Sequence, residues 1–175
     1  DENLKYLRSN EHKKDLENRA DELRDTKLML QAATSYKSAG NRSDEARCRA
    51  KAAAYDEKFD EAAEWFSKAG MYNEAIDNYW QELNNSQKLS VVEKIKKLTG
   101  KSHNEKIDFC KKTTAPTLRD IKMGLDNIAR FLNDNPKELD CHKAWSYIIT
   151  LMIQNLKTEG AEDIKNIPII VATMD

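Results

Sequence analysis

Apolar positions in this chain recur at three- and four-residue steps, the period of helices with one buried face. Leu118, Ile121, Leu125, Ile128 and Leu132 form the clearest stripe. Leu16, Ala20 and Leu23 form a shorter one in the charged segment 11–25, which Asn10 is placed to cap. No glycine or proline intervenes before Gly40, so this helix is free to run on. Between 26 and 85, alanines and aromatics make the stripes, and alanines at crossing points let helix axes approach closely. The segment from Ala144 to Ile153 is the most apolar and reads as a buried helix. Only 167–175, with Ile167-Pro168-Ile169-Ile170-Val171, reads as extended chain, an aggregation hazard unless covered.

Punctuation divides these stripes into helices. Gly40 and Gly70 supply tight reversals, with Ser43 as N-cap after the first. The expected helices there run to Ala39, from Ser43 to Tyr55, from Phe59 to Ala69, and on to Leu83. Ser90-Val91-Val92-Glu93 and Ser102-His103-Asn104-Glu105 have capping-box spacing, and Gly100 stands between them. Asn133-Asp134-Asn135 reads as a turn, and Asn135-Pro136-Lys137-Glu138 opens a last long helix that Gly160 ends. With a short helix near 161–166, five helices are expected after residue 85, as an antiparallel bundle.

Two of these segments repeat one another. Ala32-Ala33-Thr34-Ser35-Tyr36-Lys37-Ser38-Ala39-Gly40 aligns with Ala62-Ala63-Glu64-Trp65-Phe66-Ser67-Lys68-Ala69-Gly70. Glu45-Ala46 and Glu74-Ala75 follow, with one extra residue before Ala46. A spacing of about 30 residues is that of stacked helical hairpins, each needing a neighbour to bury its apolar face. The run from Ala69 through Tyr79 resembles the turn and second helix of a tetratricopeptide repeat. Phe59, Ala63 and Phe66 stand where that family places first-helix residues, and Met29, Ala33, Tyr36 and Gly40 match in the upstream copy. The spacing is shorter than the family's, and no proline separates the hairpins. In this respect the chain also resembles the solenoid arms of vesicle-coat and intraflagellar-transport proteins, and helical appendages of helicase-like proteins. The resemblance implies an interaction scaffold. The family's lysine–asparagine clamp for a carboxylate is not expected, because Leu30, Thr34, Asp60 and Glu64 occupy its leading positions.

Composition agrees with an all-α chain: 34% charged, 7% aromatic, five glycines and three prolines in 175 residues. The formal net charge of −1 selects neither nucleic acid nor an anionic membrane. No apolar run approaches the ~18 residues that span a bilayer, so membrane insertion is not expected. Cys48, Cys110 and Cys141 have no framework spacing, which points to a reducing, intracellular compartment, the cytoplasm first. A chain opening on Asp1 is expected to be part of a longer polypeptide.

Candidate chemistry is sparse. His12, His103 and His142 are scattered, and no metal, phosphate-loop or nucleophile motif occurs, so neither catalysis nor a cofactor is expected. Glu57, Asp60, Glu61 and Glu64 fall together at the start of the second hairpin, where an acidic stripe would attract a basic peptide. The macrodipole also favours acids in any first helical turn. Trp65 precedes the core aromatic Phe66, so it is rotated off the packing stripe, either as a partner anchor or as a cover for the N-terminal helix. Lys94, Lys96, Lys97 and Lys101, with Lys106, Lys111 and Lys112, make 88–112 locally basic. They could touch phosphates or simply form a solvated face, and the single aromatic, Phe109, leaves no stacking platform. The expected organisation is an N-terminal helix (1–25), two hairpin repeats (26–85), a helical bundle (86–166) and the apolar tail (167–175). The expected role is a non-catalytic protein–protein scaffold, with a nucleic-acid-associated appendage as the alternative.

Overall fold

A computed structural model describes residues 2–112, 118–134 and 141–154. The described residues are helical, in the order α1 (Glu2–Leu23), α2 (Thr26–Ser38), α3 (Arg42–Tyr55), α4 (Phe59–Lys68), α5 (Tyr72–Ser86), α6 (Leu89–Lys97), α7 (Glu105–Lys112), α8 (Leu118–Asp134) and α9 (His142–Gln154). They contain no strand, only an isolated bridge between Thr99 and Ser102, and the fold is all-α. The chain divides into two compact units, Asp1–Asn78 and Tyr79–Asp175, so the boundary falls inside α5.

In the first unit the helices pack in chain order, α1 on α2, α2 on α3, α3 on α4. The loops dictate this. Gly40 has φ +77° and Gly70 has φ +76°, and each closes the helix before it with the same pair of bonds. Gly40 N–H donates to Lys37 O at 3.0 Å and Asn41 N–H to Tyr36 O at 2.9 Å. Gly70 N–H donates to Ser67 O at 3.0 Å and Met71 N–H to Phe66 O at 2.9 Å. These are Schellman turns, which satisfy the last carbonyls of a helix while reversing the chain. Two more occur without glycine. Arg24 (φ 49°) ends α1 with Asp25 N–H on Ala20 O, and Glu57 (φ 58°) ends α3 with Lys58 N–H on Ala53 O.

The residue after each positive-φ position also opens the next helix. Asp25, Asn41 and Lys58 are the N-caps of α2, α3 and α4. Asp25 makes a side-chain cap by accepting from Leu28 N–H at 3.1 Å. Several expectations are corrected by these boundaries. The first helix begins at Glu2 and not near residue 11, so Asn10 lies within it and caps nothing. It does not run on into α2, because a Schellman turn needs no glycine when the αL residue is exposed. Asn41 replaces Ser43 as the N-cap of α3. Leu23, assigned to the buried stripe, is 65% exposed, because α1 ends there and the turn carries it outward.

The core follows from residue size. α3 buries Ala46, Cys48, Ala50, Ala52 and Ala53, small residues directed to more than one side because α2 and α4 both pack on it. Ala20, Met29, Ala32, Ala33, Tyr36, Cys48 and Ala52 form one cluster, with Leu16, Leu28 and Tyr55 against it. In the repeat, Ala32, Ala33 and Tyr36 match Ala62, Ala63 and Phe66 in burial. The register continues without an inserted residue, since buried Ala46, Ala50 and Ala53 match buried Ile76, Trp80 and Leu83. The shared Glu-Ala dipeptides are therefore one position out of step.

In the second unit α6 packs on α7, α7 on α8 and α9, and α8 on α9. Trp145 sits among aromatics, with ring centroids 4.4 Å from Trp80, 4.7 Å from Phe109 and 5.5 Å from Phe131. Asn84 Oδ1 accepts from Ala144 N–H at 3.2 Å, tying the end of α5 to the start of α9. Ser90 and Ser102 do not cap as expected. Lys88 is the N-cap of α6 without a side-chain bond, and Asn104 caps α7 by accepting from Lys106 N–H at 3.0 Å. Asn133 and Asp134 are helical rather than a turn. Leu125 and Ile128 of the predicted stripe are buried. The predicted cap at 135–138, the helix at 161–166 and the apolar tail lie outside the described residues.

Candidate functional site

The equivalent turns at Gly40 and Gly70 lie beside each other, bridged by Ser43 Oγ to Ala69 O at 3.5 Å. Next to them is a cleft of about 700 Å³, lined by Lys37 at the end of α2, Arg42, Glu45 and Ala46 at the start of α3, and Trp65 and Lys68 at the end of α4. Trp65 is half-buried, as expected of a residue one step off the stripe that carries Phe66. Two cations lie against its indole. The Lys68 ammonium is 4.4 Å from a ring centroid and the Arg49 guanidinium 5.5 Å. Arg49 also donates to Glu45 at 2.9 Å, which neutralises that pair. Lys37, Arg42 and Lys68 remain exposed, and none forms an ion pair among the described residues.

The acidic candidates are placed differently from one another. Glu57 is exposed in the turn before α4, at the positive-φ position, and is not on the helix. Asp60 is half-buried, whereas Glu61 and Glu64 are exposed on α4, on the side away from buried Ala62, Ala63 and Phe66. The lysine candidates are largely engaged. Lys94 lies 5.7 Å over the Tyr79 ring, and Lys96 pairs with Glu93 at 3.6 Å. Lys97 and Lys101 are exposed. Lys106, counted in the same basic stretch, is buried with its ammonium 5.9 Å from the Trp80 ring.

The strongest electrostatic cluster joins α1 to α3 and was not anticipated. Glu17, 6% exposed, accepts from Arg47 Nε at 2.8 Å and Nη2 at 2.8 Å, from Lys51 at 3.1 Å and from the Tyr36 hydroxyl at 3.0 Å. Lys51 also reaches Asp21 at 2.9 Å, and the Tyr55 hydroxyl donates to Asp21. Burial pushes the Glu17 carboxyl up, but Arg47 and Lys51 outweigh it and hold the group down at about 2. Burial and Glu17 together raise the Tyr36 hydroxyl above its usual range. Every acceptor of this cluster is satisfied from within, so it fastens a helix rather than awaiting a ligand.

A smaller recess of about 380 Å³ in the second unit is lined by Phe109 and Phe131 with Arg130, Asn127 and acidic Glu105, Asp108 and Asp134. No group of three metal-binding side chains occurs among the described residues. Cys48, Cys110 and Cys141 are buried and form no disulfide. Burial pushes the Cys48 and Cys110 thiols up to about 12, so neither is an activated nucleophile. None of the described helices is long and apolar enough to cross a membrane.

Sequence reasoning singled out Trp65 but not Lys37, Arg42 and Lys68, which line the same cleft. Lys68 was within reach, being three residues after Trp65 on the same helix. Lys37 and Arg42 come from other helices and carried no such signal. The chain matches no known protein family, no curated protein and no solved structure.

Proposed function

We propose that this chain is a non-catalytic protein–protein interaction scaffold built on tetratricopeptide-like hairpins. The observation that carries the reading is Trp65, half-buried in a cleft whose walls come from three helices. Tryptophan in such a position is a frequent energetic anchor at interfaces. The hairpin assignment is supported by two turns with the same hydrogen bonds 30 residues apart, at Gly40 and Gly70. Three-residue loops hold α2, α3 and α4 in a fixed relation, so the cleft is preorganised, which lowers the entropic cost of binding. A reducing, intracellular setting fits three buried cysteines without a disulfide.

The alternative, phosphate contact through Lys94, Lys96, Lys97 and Lys101, has less to work with. Lys96 already has Glu93 and Lys94 already has an aromatic ring. A pull-down from nuclease-treated lysate separates the readings, comparing wild type with Trp65→Ala, a Lys96/Lys97/Lys101→Glu triple variant and an Asp60/Glu61/Glu64→Lys triple variant of equal helicity. Partners lost with Trp65→Ala support the cleft. Partners lost only with the lysine variant move the assignment to phosphate contact. Partners lost only with the α4 acid variant transfer the site to that face.

A further inference from the structure

We propose that the Trp65 cleft takes an acidic peptide segment of a partner protein, with an aliphatic or aromatic side chain against the indole. The inference rests on the scaffold reading and adds the partner's chemistry. Its sign is opposite to that suggested by the acidic residues of α4.

Charge complementarity carries it. Of the charged residues lining the cleft, the one acid, Glu45, is matched by Arg49, which leaves Lys37, Arg42 and Lys68 without an ion-pair partner, Lys68 resting on the Trp65 ring. The helix dipole accounts for Lys37 and Lys68, each in the last turn of its helix, where a cation is favourable. It does not account for Arg42. That residue opens α3, where a cation is unfavourable, and Asn41 makes no side-chain cap there. Residues that break a local rule without a local gain mark functional positions. An incoming carboxylate would meet Arg42, Lys37, Lys68 and the positive end of α3 together.

The cations are exposed at the rim and come from three helices, whereas a small-molecule site would bury its polar groups. That suits a polypeptide lying across the opening. The Lys68 ammonium against the indole keeps its face from being a purely apolar surface, so an aliphatic side chain alone would leave that charge unanswered. Carboxylates flanking that side chain supply the answer.

The test uses the full chain and an array of 12-residue peptides, identical in apolar positions and carrying Asp/Glu, Lys/Arg or Ser/Gln elsewhere. A single-stranded oligonucleotide serves as a polyanion control. Acidic members are expected to bind, and the Arg42→Glu/Lys68→Glu variant to bind them about tenfold or more weakly, as does Trp65→Ala. The Asp60/Glu61/Glu64→Lys variant should lose nothing. Raising salt should weaken binding by the wild type.

Folding is controlled by sign. Arg42→Glu places an acid at a helix start and is expected to raise the melting temperature while it lowers affinity. No acidic peptide binding, or equal binding of acidic and basic members, overturns the inference. So does unchanged affinity in the charge-reversed variant, or oligonucleotide binding that competes through the same residues. If basic or neutral peptides bind in a Trp65-dependent way, the scaffold reading stands and only the partner's charge is wrong. If no peptide binds at all, both fail.

Discussion

Glu17 gathers Arg47, Lys51 and the Tyr36 hydroxyl around one carboxylate that water scarcely reaches. Its partners are only partly buried, with Arg47 28% and Lys51 25% exposed, so the cluster lies between two regimes. Removing one member of a buried pair costs about 3–5 kcal/mol, and a surface pair contributes about 0–1. Glu17→Ala should therefore cost about 2 kcal/mol by chemical denaturation. The depressed carboxyl sets a pH dependence as well. A lowered folded-state value means the stabilisation is whole above the ordinary 4.5 and is lost as pH falls toward about 2. Wild type should lose stability across that window more than Glu17→Ala does, as thermal melts at pH 5, 3.5 and 2.5 would measure. At the same scale, Cys48 and Cys110 are buried and hard to ionise, so iodoacetamide at neutral pH should leave both unmodified until denaturant is added. Mass spectrometry before and after unfolding reads this directly.

Helix ends decide how the elements meet. Four successive loops in the first unit use a positive-φ residue followed directly by the next helix, and only two of the four are glycine. Nothing lies within 4 Å of a Cβ built on Gly70, so an added methyl meets no neighbour and the penalty is purely conformational. Gly70→Ala should cost about 1 kcal/mol, and Gly70→Asn distinctly less, in paired denaturation curves. The converse applies at Glu57, exposed at φ 58°. Glu57→Gly should be neutral or stabilising by up to about 1 kcal/mol, because it removes αL strain. Arg24 is a poorer site for that change, since its guanidinium lies 5.0 Å over the Tyr55 ring. The helical period and both glycine turns were legible in the chain. The Arg24 and Glu57 turns were not, because an αL residue with an ordinary side chain leaves no composition signal. The caps at Ser43, Ser90 and Ser102 were each misplaced by two residues for a related reason. A serine in the first turn, as at 43 and 90, or just ahead of the helix, as at 102, resembles an N-cap until the backbone shows where the helix opens.

Over the whole chain, charge nearly cancels, at −1 in 175 residues, yet its distribution is uneven. Three cations without an ion-pair partner line the Trp65 cleft while Glu61 and Glu64 are exposed on the same helix as Trp65. Salt should therefore act on binding more than on folding. Between about 50 and 300 mM salt, partner capture should fall severalfold while the melting temperature moves little, because exposed pairs contribute little to stability. A melting temperature that tracks capture would mean that salt acts through folding instead.

The chain by itself determined the helical period, the glycine turns at 40 and 70 and the lack of a long apolar span in the described helices, since these follow from spacing between near neighbours. It also singled out Trp65, because a residue one step along a helix from a core aromatic is turned by about 100° from it. Tertiary structure alone decided that α1 is fastened by Glu17 to Arg47 and Lys51, which are 30 and 34 residues away. It alone decided that Lys37 and Arg42 stand beside Trp65. A helix repeats its faces every few residues, so local spacing reveals which side is buried. Which side chains meet across helices depends on the direction each turn takes, and that is set by backbone angles the residue names only partly constrain.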